Sequence, residues 1–289
     1  MSTPIVAATD GSEESLAATQ WAAVAAARRG TRLCIVHVMN YPGPGPHAAL
    51  LRHEMSAALR HGLPHHARSV LARASRRAAG AAPGIDMHAV AVYGQAGQVL
   101  TAMTARVPLL ALGTRGAGGS PGQRFGSVAR RLAGEARCPV VFVTADTSPA
   151  FDEIVVGTDG SDHAAAALEF GFVEAQLRDA RLTALYIWAH PQAAQLENNH
   201  DWMLSVGPAN PNATARLADE VGPWRRKHPG VLVTEDTVHG EPGRVLPFAS
   251  GHADLIVVDE RDGARSAPGL GSVASELLQH THCPVAVIP

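Results

Sequence analysis

The chain repeats itself, and this duplication limits its possible folds more than any other feature of the sequence. The opening phrase IVAATDGS at 5–12 recurs 149 residues later as IVVGTDGS at 154–161. A second phrase, VYGQAGQVL at 92–100, recurs 146 residues later as VHGEPGRVL at 238–246. The phrase CPV, which closes both halves, recurs at an offset of 145 residues. Each half is therefore the size of an ordinary domain.

The duplication also predicts where the two domains begin and end. We expect a first domain over residues 1–145 and a second over residues 152–289. The segment 144–150, TADTSPA, is polar and rich in turn-forming residues, which is typical of a linker.

Within each half, short apolar runs alternate with longer helical segments. This pattern predicts an α/β fold, in which helices cover both faces of a parallel sheet. Ser12, Glu13 and Glu14 place a capping hydroxyl and two acids at the start of the first helix. Five strands are expected in each half: 5–8, 33–38, 88–92, 109–112 and 140–143, then 154–156, 182–187, 231–234, 255–258 and 285–288.

Composition excludes several classes of protein. Twenty-four basic and 26 acidic residues give a net charge of -2, which disfavours general binding of nucleic acid. No apolar run approaches the roughly 20 residues of a membrane-spanning helix, and the N-terminus does not resemble a secretory signal. We therefore expect a cytoplasmic protein without membrane contact.

The three cysteines lack C-x-x-C spacing, which favours core residues over disulfides or zinc ligands.

A glycine pattern follows the fourth strand of the first half. Gly113-Thr114-Arg115-Gly116 is followed, nine residues later, by Gly126-Ser127-Val128 at the start of a helix. Glycines let backbone N–H groups approach an anion, and a helix N-terminus attracts one, so the pattern predicts phosphate binding. Asp10, at the end of the first strand, is expected to contact a ribose or a phosphate-bound metal ion or to cap the next helix, and the two roles are not exclusive.

These features together resemble the universal stress protein family: T-D-G-S after strand one, H-V at 37–38, the pattern G-x2-G-x9-G-S, and the closing C-P-V. The resemblance covers nearly the whole chain, twice. It implies Rossmann-like sheets in the order 3-2-1-4-5 and, in one subclass, ATP bound with Mg at the glycine pattern. The nucleotide-binding residues it implies in the first half are Asp10, Val38, Leu112, Gly113, Gly116, Gly126, Ser127 and Val128.

The second half departs from this pattern at two glycines. Asp259 and Asp262 stand where Gly113 and Gly116 stand in the first half. A carboxylate about 4 Å from a phosphate charge costs roughly 1 kcal/mol in water and about 4 kcal/mol near a protein surface. We therefore expect nucleotide binding mainly in the first half, and a second site that is inactive, metal-dependent or repurposed.

Other polar residues have competing interpretations. His47, His53, His61, His65 and His66 lie close together in sequence, but Pro64 interrupts the one metal-like pair, so no metal site is predicted. His37 is expected to be a core residue. Two further alternatives stay open. Arg115 and Arg124 either pair with phosphates or are solvated. Asp259, Glu260 and Asp262 either hold a cation or form a solvated acidic loop.

Enzyme signatures are missing from the sequence. It has no G-x4-G-K-[ST] and no H-E-x-x-H, and no G-x-G-x-x-G follows the first strand. With the resemblance, this predicts a cytoplasmic ATP-binding regulator of the stress response that is not an enzyme. We expect a homodimer or an intrachain pseudo-dimer with an unidentified protein partner. The alternatives are a scaffold that binds no nucleotide and a slow ATPase.

Overall fold

A computed structural model of the chain describes residues 3–39, 63–116, 125–145, 150–161, 164–188, 210–260 and 271–289. Two units are distinguished, Met1–Ala145 and Asp146–Pro289. Each unit alternates strands and helices, as the sequence predicts.

The first unit contains a parallel sheet of five strands in the order β3-β2-β1-β4-β5. The expected order is confirmed. Apolar residues fill the central strand β1, which is buried along its whole length because helices cover both faces of a parallel sheet. The strand bounds are β1 Ile5–Ala8, β2 Leu33–Met39, β3 Met87–Tyr93, β4 Leu110–Gly113 and β5 Val140–Val143.

Four helices of the first unit are described: α1 Glu13–Arg28, α2 His65–Ala81, α3 Ala96–Thr104 and α4 Ser127–Glu135. The helix α1 packs against α2, and α3 packs against α4. Right-handed crossovers in this strand order place the two pairs on opposite faces of the sheet. Ser12 caps α1, because its Oγ accepts a hydrogen bond of 3.3 Å from the N–H of Ser15.

The second unit repeats this plan, with parallel strands in the equivalent order β8-β7-β6-β9-β10. Asn210 caps the helix that corresponds to α2 by accepting a bond from the N–H of Ala213. The strands are β6 Glu153–Thr158, β7 Arg181–Trp188, β8 Val233–His239, β9 Leu255–Asp259 and β10 Val285–Ile288, and the described helices are α5 Ala164–Arg178, α6 Pro211–Lys227, α7 Pro242–Ala249 and α8 Ser272–His280.

The expected position of β8 is wrong. The sequence predicted residues 231–234, but the strand runs over Val233–His239. The apolar run that suggested the earlier start includes Leu232, which is 74% exposed. The strand itself contains the polar run TEDT, because it lies at the outer end of the order within its unit. Of the other expected strands, 5–8, 140–143 and 285–288 match the structure at both ends, and the rest differ by one or two residues at an end.

The three cysteines are free and buried, as expected for core residues. Burial raises the pKa of the Cys138 and Cys283 thiols to about 12, and it also raises the pKa of Cys34. Among the described helices, none combines the length and hydropathy that a membrane crossing requires.

Candidate functional site

A cavity of about 470 Å³ opens at the carboxyl ends of the strands of the first unit. The strand order explains its position, because β2 and β3 are added on one side of β1, and β4 and β5 on the other, which leaves a crevice between β1 and β4. All eight residues predicted as nucleotide contacts line this one cavity: Asp10, Val38, Leu112, Gly113, Gly116, Gly126, Ser127 and Val128.

The carboxylate of Asp10 is held in place at the edge of the cavity. Its Oδ1 accepts hydrogen bonds from the N–H of Ser12 at 3.0 Å and from the Ser12 hydroxyl at 2.6 Å. Gly11 between them has a φ of +86°, which favours glycine. Since Ser12 is the residue that caps α1, Asp10 orients the cap rather than serving as the cap itself.

Two glycines of the pattern are required by close packing. A Cβ on Gly116 would lie 2.6 Å from Oδ2 of Asp10, so any larger residue displaces the carboxylate. A Cβ on Gly113 would lie 2.8 Å from the backbone of Glu14 and Ser15, where the end of β4 meets the first turn of α1. Gly126 differs, because a Cβ there would make only ordinary contacts, the nearest at 3.6 Å.

The N-terminus of α4 forms the polar end of the cavity. The N–H of Gly126 donates to the carbonyl of Thr114 at 2.9 Å, which fixes the helix start beside the end of β4. Gly126, the residue before this helix, has no side chain that could cap it, and Ser127, Val128 and Ala129 of the first turn line the cavity. Free N–H groups at a helix start, together with the helix dipole, favour an anion at this end.

Apolar side chains line the other part of the cavity: Ala8, Val36, Val38, Leu100 and Leu112. Alternate residues of a strand face opposite sides, so His37 lies on the other face of β2 from Val36 and Val38. The His37 ring is buried and its Nδ1 donates to the carbonyl of Thr9 at 2.8 Å. The expectation that His37 is a core residue is confirmed, and the cavity combines an apolar part with a polar end.

Arg115 also lines the cavity, where it is paired with a carboxylate. Its Nε lies 3.0 Å from Oε1 of Glu14, whose side chain is only 13% exposed. This ion pair joins the first part of the glycine loop to the first turn of α1. The other loop arginine considered from sequence, Arg124, lies outside the described residues.

Several lining residues were not predicted from the sequence. They include Thr9 and Ser15, whose hydroxyls lie 3.0 Å apart, and Gln95, Ala96 and Leu100 in the first half of α3 or just before it. A signal for the last three was present, because they belong to the repeated phrase 92–100. The repeat was used only as evidence of duplication, so the position of residues 92–100 beside the cavity was not predicted.

Almost the whole chain matches a known protein family. A family model described as "Universal stress protein family" matches residues 1–144 and again residues 150–289. The chain belongs to the universal stress protein family. The resemblance stated from the sequence is therefore confirmed.

Individual members of the universal stress protein family match over nearly the full length. Universal stress protein Rv2623 of Mycobacterium tuberculosis (strain ATCC 25618 / H37Rv) is 30% identical over 300 residues, which cover 98% of this chain and 95% of that protein. Universal stress protein Rv2005c of the same strain is 28% identical over 297 residues, covering 98% and 96%. The crystal structure of a universal stress protein from Archaeoglobus fulgidus DSM 4304 matches with a TM-score of 0.68 at 18% identity, covering 99% of this chain and 96% of that one, and shows the same fold.

The second universal stress protein unit keeps the framework of the site but changes its chemistry. In β9, Asp259 pairs with Ile288, as Gly113 pairs with Val143 in β4, so Asp259 does occupy the place of Gly113. Gly271 precedes α8 as Gly126 precedes α4. Asp262, the other predicted replacement, lies outside the described residues.

A polar cluster on α6 distinguishes the second unit further. Arg216 and Glu220 stand where the first unit has the buried residues Val70 and Ala74. The Thr158 hydroxyl donates to both carboxylate oxygens of Glu220, at 2.8 and 3.0 Å. Burial raises the pKa of Glu220; the bond from Thr158 lowers it, the charge of Asp159 raises it and that of Arg216 lowers it.

Of the histidines that lie close together in sequence, His65 and His66 begin α2, whereas His47, His53 and His61 lie outside the described residues. Within the described ranges, no group of three or more histidine, cysteine or acidic side chains could hold a metal ion.

Proposed function

We propose that this universal stress protein binds ATP in the cavity of the first unit and acts as a nucleotide-responsive regulator. One observation carries the proposal: eight residues chosen from sequence all line a single cavity, although they come from the ends of β2 and β4, the loops after β1 and β4, and the start of α4. A pattern of glycines that served turns alone would have no reason to converge with Asp10 and Val38 on one crevice.

The two parts of the cavity suit the two parts of an adenine nucleotide. Its volume of about 470 Å³ is ordinary for a small-molecule site. Val36, Val38 and Leu112 offer an apolar surface to a planar base. Gly116 and the first turn of α4 offer backbone N–H groups to phosphates. A Cβ would crowd Gly116, which supports a role for this glycine in keeping the polar end accessible.

A magnesium ion bound with ATP would be held on the phosphates, where it would neutralise part of their charge. In this chain, Asp10 is the carboxylate of the described lining that would face such an ion. Its Oδ1 already accepts two hydrogen bonds from Ser12, which favours a positioning role over proton abstraction. We therefore propose binding without rapid hydrolysis.

Regulation would follow from preferential binding to one conformation. Arg115 and Gly116 lie at the start of the loop that leads to α4. ATP that contacts both ends of this loop would favour the loop conformation that binds ATP. The proposal retains the sequence-based expectations of a cytoplasmic protein, of a homodimer or paired halves, and of an unidentified protein partner. It assigns ATP to the first unit because Asp259 adds a carboxylate to the second.

The test uses Val128, which lines the cavity in the first turn of α4. Val128→Asp places a negative charge among the proposed phosphate contacts, while an acidic residue in a first helical turn supports folding. We expect ATP binding, measured by titration calorimetry, to weaken at least tenfold with no loss of thermal stability.

Val128→Asn is the matched control, because it changes size and polarity in the same way without adding charge. It should weaken ATP binding much less than Val128→Asp. Equal ATP affinity in the native protein and the aspartate variant would refute the assignment. Steady turnover of ATP by the native protein would instead identify an ATPase.

A further inference from the structure

The two halves of the chain carry opposite charges, although the chain as a whole is nearly neutral. Residues 1–145 contain fifteen arginines, no lysine and six acidic residues, which gives a net charge of +9. Residues 146–289 contain nine basic and twenty acidic residues, which gives -11, and the two values sum to the overall -2. The overall net charge of -2 is therefore the sum of a basic first unit and an acidic second unit. The sequence-based expectation about nucleic acid used only this sum.

Part of this positive charge is concentrated in a shallow cleft between α1 and α2 of the first unit. The cleft has a volume of about 350 Å³ and is lined by Glu13, Leu16, Arg73, Arg76 and Arg77. None of these residues lines the nucleotide cavity.

One carboxylate in the cleft is held by two arginines. Arg73 donates to Oε1 of Glu13 at 3.1 Å, and Arg77 donates to Oε2 at 3.0 Å. Arg76 lies beside them in the same cleft. Three arginines and a single carboxylate in one cleft leave an excess of positive charge, and two of the arginines already adopt an arrangement that binds both oxygens of a single anion.

Stability does not account for this cluster. Its side chains are 46% to 60% exposed, and ion pairs at that exposure contribute little to folding. The second unit supplies a direct comparison, because α6 matches α2 residue for residue at an offset of 146. Asp219, Gly222 and Pro223 stand where the first unit has Arg73, Arg76 and Arg77. The same fold therefore forms without any of the three arginines.

We propose that this cleft is a second anion site, which binds a phosphoryl group through Arg73, Arg76 and Arg77. Without a ligand, the Glu13 carboxylate forms ion pairs with the arginines. A bound anion replaces this carboxylate. Arginine suits this role because its planar guanidinium binds phosphoryl oxygens in pairs. The group is either free, as in pyrophosphate, or carried on a phosphorylated protein.

The experiment is calorimetric titration of the full chain with pyrophosphate at low ionic strength. Arg77→Gln removes a donor and should weaken binding about tenfold, whereas Glu13→Gln removes the competing carboxylate and should tighten it about threefold. These opposite directions separate a ligand site from a structural ion pair. Any pyrophosphate bound in the nucleotide cavity contributes equally to all variants, since neither residue lines it.

The ion pair between Arg131 and Glu135, at 2.8 Å on α4, supplies matched controls with the same changes of charge. Arg131→Gln and Glu135→Gln should each alter pyrophosphate affinity less than twofold. A phosphoserine peptide, titrated beside its unphosphorylated form, distinguishes a protein-borne group from the free ion. The proposal is overturned if neither probe binds, or if the Arg77 and Arg131 variants bind equally.

Discussion

Gly116 and Asp10 lie so close that the glycine has no room for a side chain. A Cβ on Gly116 would stand 2.6 Å from Oδ2 of Asp10, while Oδ1 of the same carboxylate is held by Ser12. The Asp-Gly-Ser phrase after β1 and the glycine pattern after β4 are therefore two parts of one arrangement, although about a hundred residues of chain separate them.

Gly116→Ala should affect ligand binding more than folding. The added methyl group forces the Asp10 carboxylate to move, and a carboxylate at the end of a side chain moves at little cost. We expect ATP affinity, measured by calorimetry, to fall about tenfold, and the free energy of unfolding to change by less than about 1 kcal/mol. Unchanged affinity would show that the position of Asp10 is irrelevant to the ligand.

Gly113→Ala should reduce the stability of the fold more than it affects ligand binding. The new Cβ would lie 2.8 Å from the backbone of Glu14 and Ser15, and backbone atoms in a packed helix cannot move as a side chain can. We expect a loss of about 1–3 kcal/mol in the stability of the first unit, measured by hydrogen exchange of the β4 and α1 amides.

Gly126→Ser is the control for Gly113→Ala. Its Cβ would meet nothing closer than 3.6 Å, and serine is favoured at the residue that precedes a helix. Hydrogen exchange of the same amides should be unchanged or slower. Equal exchange in the Gly113 and Gly126 variants would contradict the packing argument.

The stability of the second unit should depend on the ionisation of Glu220. Burial raises its pKa in the folded state above the ordinary value of 4.5, so the folded protein holds this proton more tightly than the unfolded chain does. The stabilisation from the proton is complete below pH 4.5 and is lost as pH rises through the folded pKa.

Glu220→Gln keeps the shape but cannot ionise. Relative to the native protein, its free energy of unfolding in urea should therefore increase as pH rises above 4.5 and then level off. Asp219→Asn is a suitable control, since Asp219 is an exposed neighbour on the same helix. The account would be contradicted if the free energy of unfolding of the native protein increased, relative to that of Glu220→Gln, as pH rises.

The cysteines should be unreactive in the folded protein. Burial raises the pKa of Cys138 and Cys283 to about 12, so neither forms an appreciable thiolate at pH 8. Iodoacetamide should label neither residue in the native state and should label all three cysteines in denaturant. Mass spectrometry of the intact chain measures both results. Rapid native labelling of Cys283 would contradict its burial.

The fold could be predicted because the duplication and the strand pattern reinforced each other. A strand with an apolar run, such as β1, is recognisable in isolation. The strand β8 was misplaced because its polar residues, Thr234 to Thr237, lie at an outer position where apolar periodicity is weak. Transferring the third strand expected from sequence, 88–92, by the repeat offset of 146 gives 234–238, which is one residue short of β8 at each end, so most of the missing information was in the repeat itself.

The site could be predicted where backbone requirements select residue types. Gly113 and Gly116 are selected by contacts that exclude a Cβ, and such glycines stand out in a sequence. Val36 lines the same cavity with a side chain that many core positions share, so nothing in the sequence marks it. The pairing of Arg115 with Glu14 joins residues distant in sequence and depends on the packing of α1 beside β4.

The most direct test of the central claim is to denature freshly purified protein and quantify the released nucleotide per chain by chromatography and mass spectrometry. Our account predicts about one adenine nucleotide per chain, or one equivalent of ATP bound on titration if purification has removed it, and no binding beyond that to the unit that carries Asp259. No released nucleotide, together with no binding of added ATP, would contradict it.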